Sequence, residues 1–153
     1  MKKFTRLALT TLFCAAISPL ALAQVKVSDA WVRATVVQQK STGAFMQLTS
    51  VKDAKLVDVS SPAAAIVELH QMSMTNNIMK MHAISSLDLP AGKPVMLSPG
   101  GYHVMLVDLK KQVKEGDIIP ITLTIEAQDK HRETIEVKAV ARPLNQAMQG
   151  MQH

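Results

Sequence analysis

Ala65-Ile66-Val67-Glu68-Leu69-His70-Gln71-Met72-Ser73-Met74, Thr75-Asn76-Asn77, Ile78-Met79-Lys80-Met81-His82-Ala83-Ile84 reads as two extended runs joined by a short polar turn. The runs are rich in β-branched and apolar residues, and the Asn pair supplies turn chemistry. A turn on Thr75-Asn76 would place His70 opposite Met81 and Met72 opposite Met79. A turn on Asn76-Asn77 would place Met72 opposite Met81, with His70 one diagonal away. Either register puts His70, Met72, Met74, Met79 and Met81 on one face of the hairpin, because side chains alternate with a period of two. His82 has the opposite parity and should face away.

The same pattern extends in both directions. Strand-like runs cover Ala30 to Val36, Gly43 to Thr49, Leu56 to Ser60, Pro94 to Leu97, Tyr102 to Leu109, Ile118 to Ala127 and Glu133 to Ala141. Turn signals separate them: Ser41-Thr42-Gly43, Pro90-Ala91-Gly92, Ser98-Pro99-Gly100-Gly101 and Lys114-Glu115-Gly116-Asp117. No long stretch carries a 3.6-residue period. The expected fold is all-β, a single-domain antiparallel β-sandwich.

The ends read differently. Lys2, Lys3 and Arg6, the apolar Leu7 to Leu20 and the small-residue Ala21-Leu22-Ala23 have the order of a cleavable signal peptide, residues 1–23. The apolar run is too short and too proline-broken for a membrane span, so no membrane insertion is expected after cleavage. Residues 24–143 then form the sandwich domain, and residues 144–153 a flexible tail containing Met148, Met151 and His153. Export places the protein in the periplasm.

Removing the leader takes three of the 17 Lys and Arg and none of the 12 Asp and Glu, leaving a net charge of +2. A mild charge with few aromatics argues against a nucleic-acid partner. The one cysteine, Cys14, goes with the leader, so the mature chain has neither a disulfide nor a thiolate. About 130 residues can bury a core without help from oligomerisation, and a monomer is expected.

Methionine is over-represented, at 10 of 153 residues. Met46 and Met96, isolated in apolar runs, read as packing residues. The hairpin methionines share their face with an imidazole, and in Tyr102-His103-Val104-Met105 the period of two sets His103 beside Met105, with Val104 and Leu106 on the other side. If that strand lies near the hairpin, imidazoles and thioethers converge. Thioether sulfur is soft and uncharged, suited to Cu(I) rather than to Mg²⁺, Ca²⁺ or Zn²⁺. A blue-copper electron carrier would need a thiolate, and no Ser/His/Asp set is present, since His131 sits among charged turn residues. The chain is not expected to be an enzyme.

These residues carry a resemblance. His70, Met81, His103 and Met105 fit the H-x10-M-x21-H-x-M signature of the periplasmic copper chaperones of the PCu(A)C family. From the chain's own His and Met frequencies, a chance match is about one in two thousand. Ala30-Trp31-Val32-Arg33-Ala34-Thr35, Val67-Glu68-Leu69-His70 and Pro99-Gly100-Gly101-Tyr102-His103-Val104-Met105-Leu106 also resemble family blocks. Phe45-Met46, where the family often has a tyrosine, and Ile125, where it often has a phenylalanine, depart from it in packing positions only. The resemblance implies a cupredoxin-like sandwich holding Cu(I) through those four residues. It also implies delivery toward the CuA centre of a respiratory oxidase, with the oxidase CuA subunit or another copper chaperone as partner. Gly100-Gly101 is expected to form the tight turn that fixes where the His103 strand begins.

Overall fold

The computed structural model describes residues 24–143. The expected leader, with Cys14, and the expected tail, with Met148, Met151 and His153, lie outside the described residues. Ten strands follow one another: β1 (Val25–Arg33), β2 (Ser41–Ser50), β3 (Ala54–Ser60), β4 (Ala64–Thr75), β5 (Ile78–Ala83), β6 (Leu87–Leu89), β7 (Pro94–Leu97), β8 (Tyr102–Leu109), β9 (Ile118–Ala127) and β10 (Arg132–Arg142). Among the described residues there is no helix. The alternation read from the sequence located nine of these strands. The three-residue β6 is too short to show a period of its own, and it forms because Leu87 and Leu89 bury against β3.

The strands hydrogen-bond in the order β5-β4-β8-β7-β2-β1-β10-β9-β3-β6, with β8 also pairing β2. The sheet folds back so that β3 packs against β4 and β6 against β2, giving the two layers of a cupredoxin-like β-sandwich. The pairings are antiparallel apart from β1 with β10 and a single contact between β7 and β8. Between Ser28 and Trp31 the register of β1 on β2 slips, and Asp29 takes a positive φ of 50°. This bulge bends β1, so that Trp31, Val32 and Arg33 pair with Val140, Ala141 and Arg142 while Trp31 and Val32 keep partners on β2.

The core lies between the layers and is aliphatic: Leu48, Leu56, Val104, Leu106, Ile121 and Leu123 are fully buried. Met46 belongs to it, at 2% exposure. Met96 does not. It is 52% exposed, because the Met46↔Leu97 and Gln47↔Met96 pairings turn Leu97 inward and Met96 outward. Alternation decided its face, and its apolar neighbours in the sequence misled.

Leu106→Ala removes a side chain with no solvent contact and should cost about 2–5 kcal/mol, the range for such cavities. Urea unfolding monitored by far-UV circular dichroism would read this as a lowered midpoint with an unchanged slope.

Candidate metal centre

Hairpin register decides what the site contains. Asn76 and Asn77 both take positive φ, 53° and 60°, as a two-residue type I′ turn requires, and asparagine tolerates that conformation better than most residues. Thr75 therefore pairs with Ile78, Met74 with Met79 and Met72 with Met81, the second of the two registers the sequence allowed. His70 is opposite Ala83, and His82 pairs with Gln71 on the other face.

The strand that carries the other two expected ligands, β8, lies directly beside the hairpin. β8 pairs with β4 so that His70 faces His103, Leu69 faces Val104 and Glu68 faces Met105. Leu69, Val104 and Leu106 turn into the core, and His70, His103 and Met105 are left on the outer side of the layer. A shallow depression of about 290 Å³ opens there, lined by Met72, Met81, His103 and Met105, with Arg33, Gly43 and Phe45 among the residues around it. The His70 ring lies next to that of His103, with 5.7 Å between centroids. Met74 and Met79 sit exposed toward the hairpin tip, and neither they nor His70 line the depression.

Three backbone and packing features hold His103. The turn before it carries Gly100 at φ 86°, a conformation that favours glycine, and closes with Gly101 N–H donating to Ser98 O at 3.0 Å. Within it the Gly101 carbonyl accepts from Met72 N–H at 3.1 Å and from His103 Nδ1 at 3.2 Å. The turn thus ties β8 to β4 and orients the ring. Phe45 packs 6.3 Å from the ring on the other side and stacks on Trp31 at 4.5 Å. Phe45 can lean that way because its neighbour is Gly43. A Cβ there would meet the ring at 2.8 Å.

A carbonyl only accepts, so Nδ1 of His103 carries the proton and the neutral ring points its Nε2 lone pair outward. Met81 Sδ stands 3.3 Å from that nitrogen, offering lone pairs of its own. The structure thus brings an imidazole nitrogen and a soft thioether sulfur to one place. His103 is 6% exposed while Met81 is 48% exposed, so one donor is rigid and sheltered and the other stands at the surface.

Alternation alone did not show Phe45, Arg33 or Glu68 near the site. Arg33 stacks its guanidinium 5.7 Å from the Phe45 ring centroid. The Glu68 carboxylate reaches His70 Nε2 at 2.9 Å, so an acidic group adjoins the imidazoles and thioethers. The period-two spacing of Glu68 and His70 was the available signal. Among the described residues, no three of His, Cys, Asp and Glu converge as a group that could hold a metal. What converges is imidazole with thioether.

The profile of the LpqE-like family, a lipoprotein description, matches residues 25–139. Lxx21020 of Leifsonia xyli subsp. xyli, named a lipoprotein, is 35% identical over 100 residues, 65% of this chain and 60% of its own length. RP573 of Rickettsia prowazekii is 31% identical over 114 residues, 71% of this chain and 62% of its own. The chain therefore spans less than two thirds of either relative. Among solved structures, Cu(I)-bound DR1885 from Deinococcus radiodurans superposes with a TM-score of 0.56 at 31% identity, covering 81% of each chain. The copper-bound PCuAC domain from PmoF2 superposes with a TM-score of 0.59 at 23% identity, over 80% of this chain and 97% of that one. The fold is that of the PCuAC domains, in agreement with the resemblance read from the sequence.

Burial is the largest influence on the His103 imidazole and holds it below its ordinary value of 6.5; the bond to Gly101 opposes it, and His70 and Arg33 push the same way as burial. The unfolded chain therefore takes this proton at higher pH than the folded one. The stability linked to the neutral ring is complete above 6.5 and is lost as pH falls through that value toward the folded one. Urea titrations between about pH 7.5 and pH 5 should show stability falling more steeply in wild type than in His103→Gln. Parallel curves would contradict a buried neutral ring.

Proposed function

From a chain that belongs to the LpqE-like family and turns imidazole and thioether donors toward one depression, we propose a copper carrier: an exported, non-enzymatic protein that holds Cu(I) through His70, Met81, His103 and Met105. The observation that carries this reading is the 3.3 Å approach of His103 Nε2 to Met81 Sδ with the ring proton committed to Gly101. Two lone pairs facing one another call for a Lewis acid between them. An ion that takes nitrogen at about 2.0 Å and sulfur at about 2.3 Å brings such donors to about 3.5 Å apart. The distance in the protein is already close to that.

Ligand softness selects the metal. Neutral thioethers stabilise d¹⁰ Cu(I) and do little for harder divalent cations, which prefer oxygen, imidazole or thiolate. Cu(II) favours nitrogen and oxygen in tetragonal geometry, so this donor set suits carriage of the reduced ion rather than cycling between oxidation states. The binding of Cu(I) by DR1885, at 31% identity, supports the same choice.

Delivery follows from exposure. A half-exposed Met81 on β5, a strand at the sheet edge, lets an incoming donor displace one thioether at a time while His103 stays fixed. The recipient we propose is the CuA subunit of a respiratory oxidase or another copper chaperone, where thiolates would draw the ion away. Transfer takes place in the periplasm, with the carrier as a monomer. Met72, Met74 and Met79 form a soft rim along the way out.

Competition for Cu(I) against a chromophoric chelator under reducing conditions should give one tightly bound equivalent. Met81→Ala or His103→Ala should weaken it at least tenfold, and Leu106→Ala should leave affinity unchanged. Unaltered affinity in Met81→Ala would sink the assignment. In a second measurement, replacing Met72, Met74 and Met79 together by Leu should keep the stoichiometry at one and slow transfer to an apo CuA domain. Loss of the bound equivalent would make one of the three a ligand.

A further inference from the structure

We propose that Glu68 is a positioning residue of this centre: it fixes the tautomer of His70, so that His70 presents Nδ1 to the metal while His103 presents Nε2. The proposal rests on the Cu(I) reading above, and the tautomers can be measured without the metal.

Glu68 and His70 are two apart on β4 and so share a face, the one that also carries His103 and Met105 through the pairings His70↔His103 and Glu68↔Met105. Glu68 Oε2 lies 2.9 Å from His70 Nε2. An ionised carboxylate only accepts, so in the neutral ring the proton belongs on Nε2. The other ring nitrogen, Nδ1, is buried and has no hydrogen-bond partner. With the proton on Nε2, Nδ1 is a sheltered lone pair to which no protein group donates. Buried polar atoms left in that state are uncommon and call for an explanation, and a metal ion is one.

His103 has the reverse arrangement. Its Nδ1 is anchored to the Gly101 carbonyl and its Nε2 faces Met81. Two imidazoles from directly paired residues are therefore locked in opposite tautomers, one by a carbonyl and one by a carboxylate. A histidine whose second nitrogen donates to a carboxylate has a fixed ring orientation and is a stronger electron-pair donor, and loss of such a partner typically weakens metal affinity 10–100-fold. Glu68 also places a negative charge beside the seat of a monovalent cation without joining the soft donor set. That side chain is half exposed, so this charge is partly screened by water.

Long-range ¹H–¹⁵N correlation spectra of the histidine side chains in the full chain, recorded near pH 7.5, test the assignment directly. Apo protein should show His70 protonated at Nε2 and His103 protonated at Nδ1. Cu(I) should then shift the Nδ1 signal of His70 and the Nε2 signal of His103. Glu68→Ala should mix the His70 tautomers and weaken Cu(I) binding 10–100-fold, and Glu68→Gln, whose amide oxygen still accepts, should restore the tautomer and most of the affinity. An apo His70 protonated at Nδ1 would overturn the proposal, as would Cu(I) shifting His70 Nε2 alone or a Glu68→Ala protein with tautomer and affinity intact. If the protein took up no Cu(I), the carrier reading would fall, while the apo tautomers would still decide what Glu68 does.

Discussion

The antiparallel pairing of β4 with β8 is the constraint on which the rest depends. It is a ladder of backbone hydrogen bonds, indifferent to side-chain chemistry, yet it sets His70 against His103 and Glu68 against Met105 on one side and Leu69 against Val104 on the other. Slipping it by one residue would turn Val104 and Leu106 to solvent and drive an imidazole and a thioether into an aliphatic core. The burial of Val104 and Leu106 therefore selects the register that puts the imidazoles and Met105 outside. Register on the hairpin side comes from two consecutive asparagines with positive φ, which leave Met72 opposite Met81 as the only pairing compatible with that turn.

Much of this could be read in the sequence because β structure writes itself with a period of two. Alternation in 65–84 and 102–109 assigned His70, Met81, His103 and Met105 to one kind of face and Val104 to the other, and the fold follows both assignments. What alternation cannot encode is which strands become neighbours. Nothing in the spacing places β8 beside β4, or brings Phe45 of β2 over Gly43 against His103. Those are consequences of closing a ten-stranded sheet. Glu68 shows a different gap. Its parity was plain, but a glutamate on an outward face reads as a solvated charge until a ring nitrogen is found 2.9 Å away. Met96 erred the other way, since apolar neighbours suggested burial where the pairing with Gln47 turns it out.

The two faces of the same strands divide the work. Inner positions are aliphatic and fully buried, and they supply stability through area removed from water. Outer positions carry a second, smaller cluster, Trp31 on Phe45 on His103, with Arg142 over the indole and Arg33 over the phenyl ring. This aromatic row is braced from β1 and β2, so the rigid donor stands on the most heavily paired part of the sheet. One thioether, that of Met81, stands on β5, whose residues are all exposed, and the other, that of Met105, on β8 beside His103. Shelter at His103 and exposure at Met81 follow distance from the sheet edge.

The pairing of β1 with β10 has a consequence for how the chain is made. It brings Trp31, near the start of the described sequence, alongside Val140, near its end, in a parallel ladder. Closing so long a loop costs conformational entropy before any contact repays it, and sheets rich in such pairings fold slowly. Until β10 has emerged, β1 lacks one neighbour and β9 another, so a partly delivered chain has no complete sandwich to fall into. A chain released from its N-terminus onward cannot complete this fold before its last strand is available. Here the topology itself withholds the native state until then.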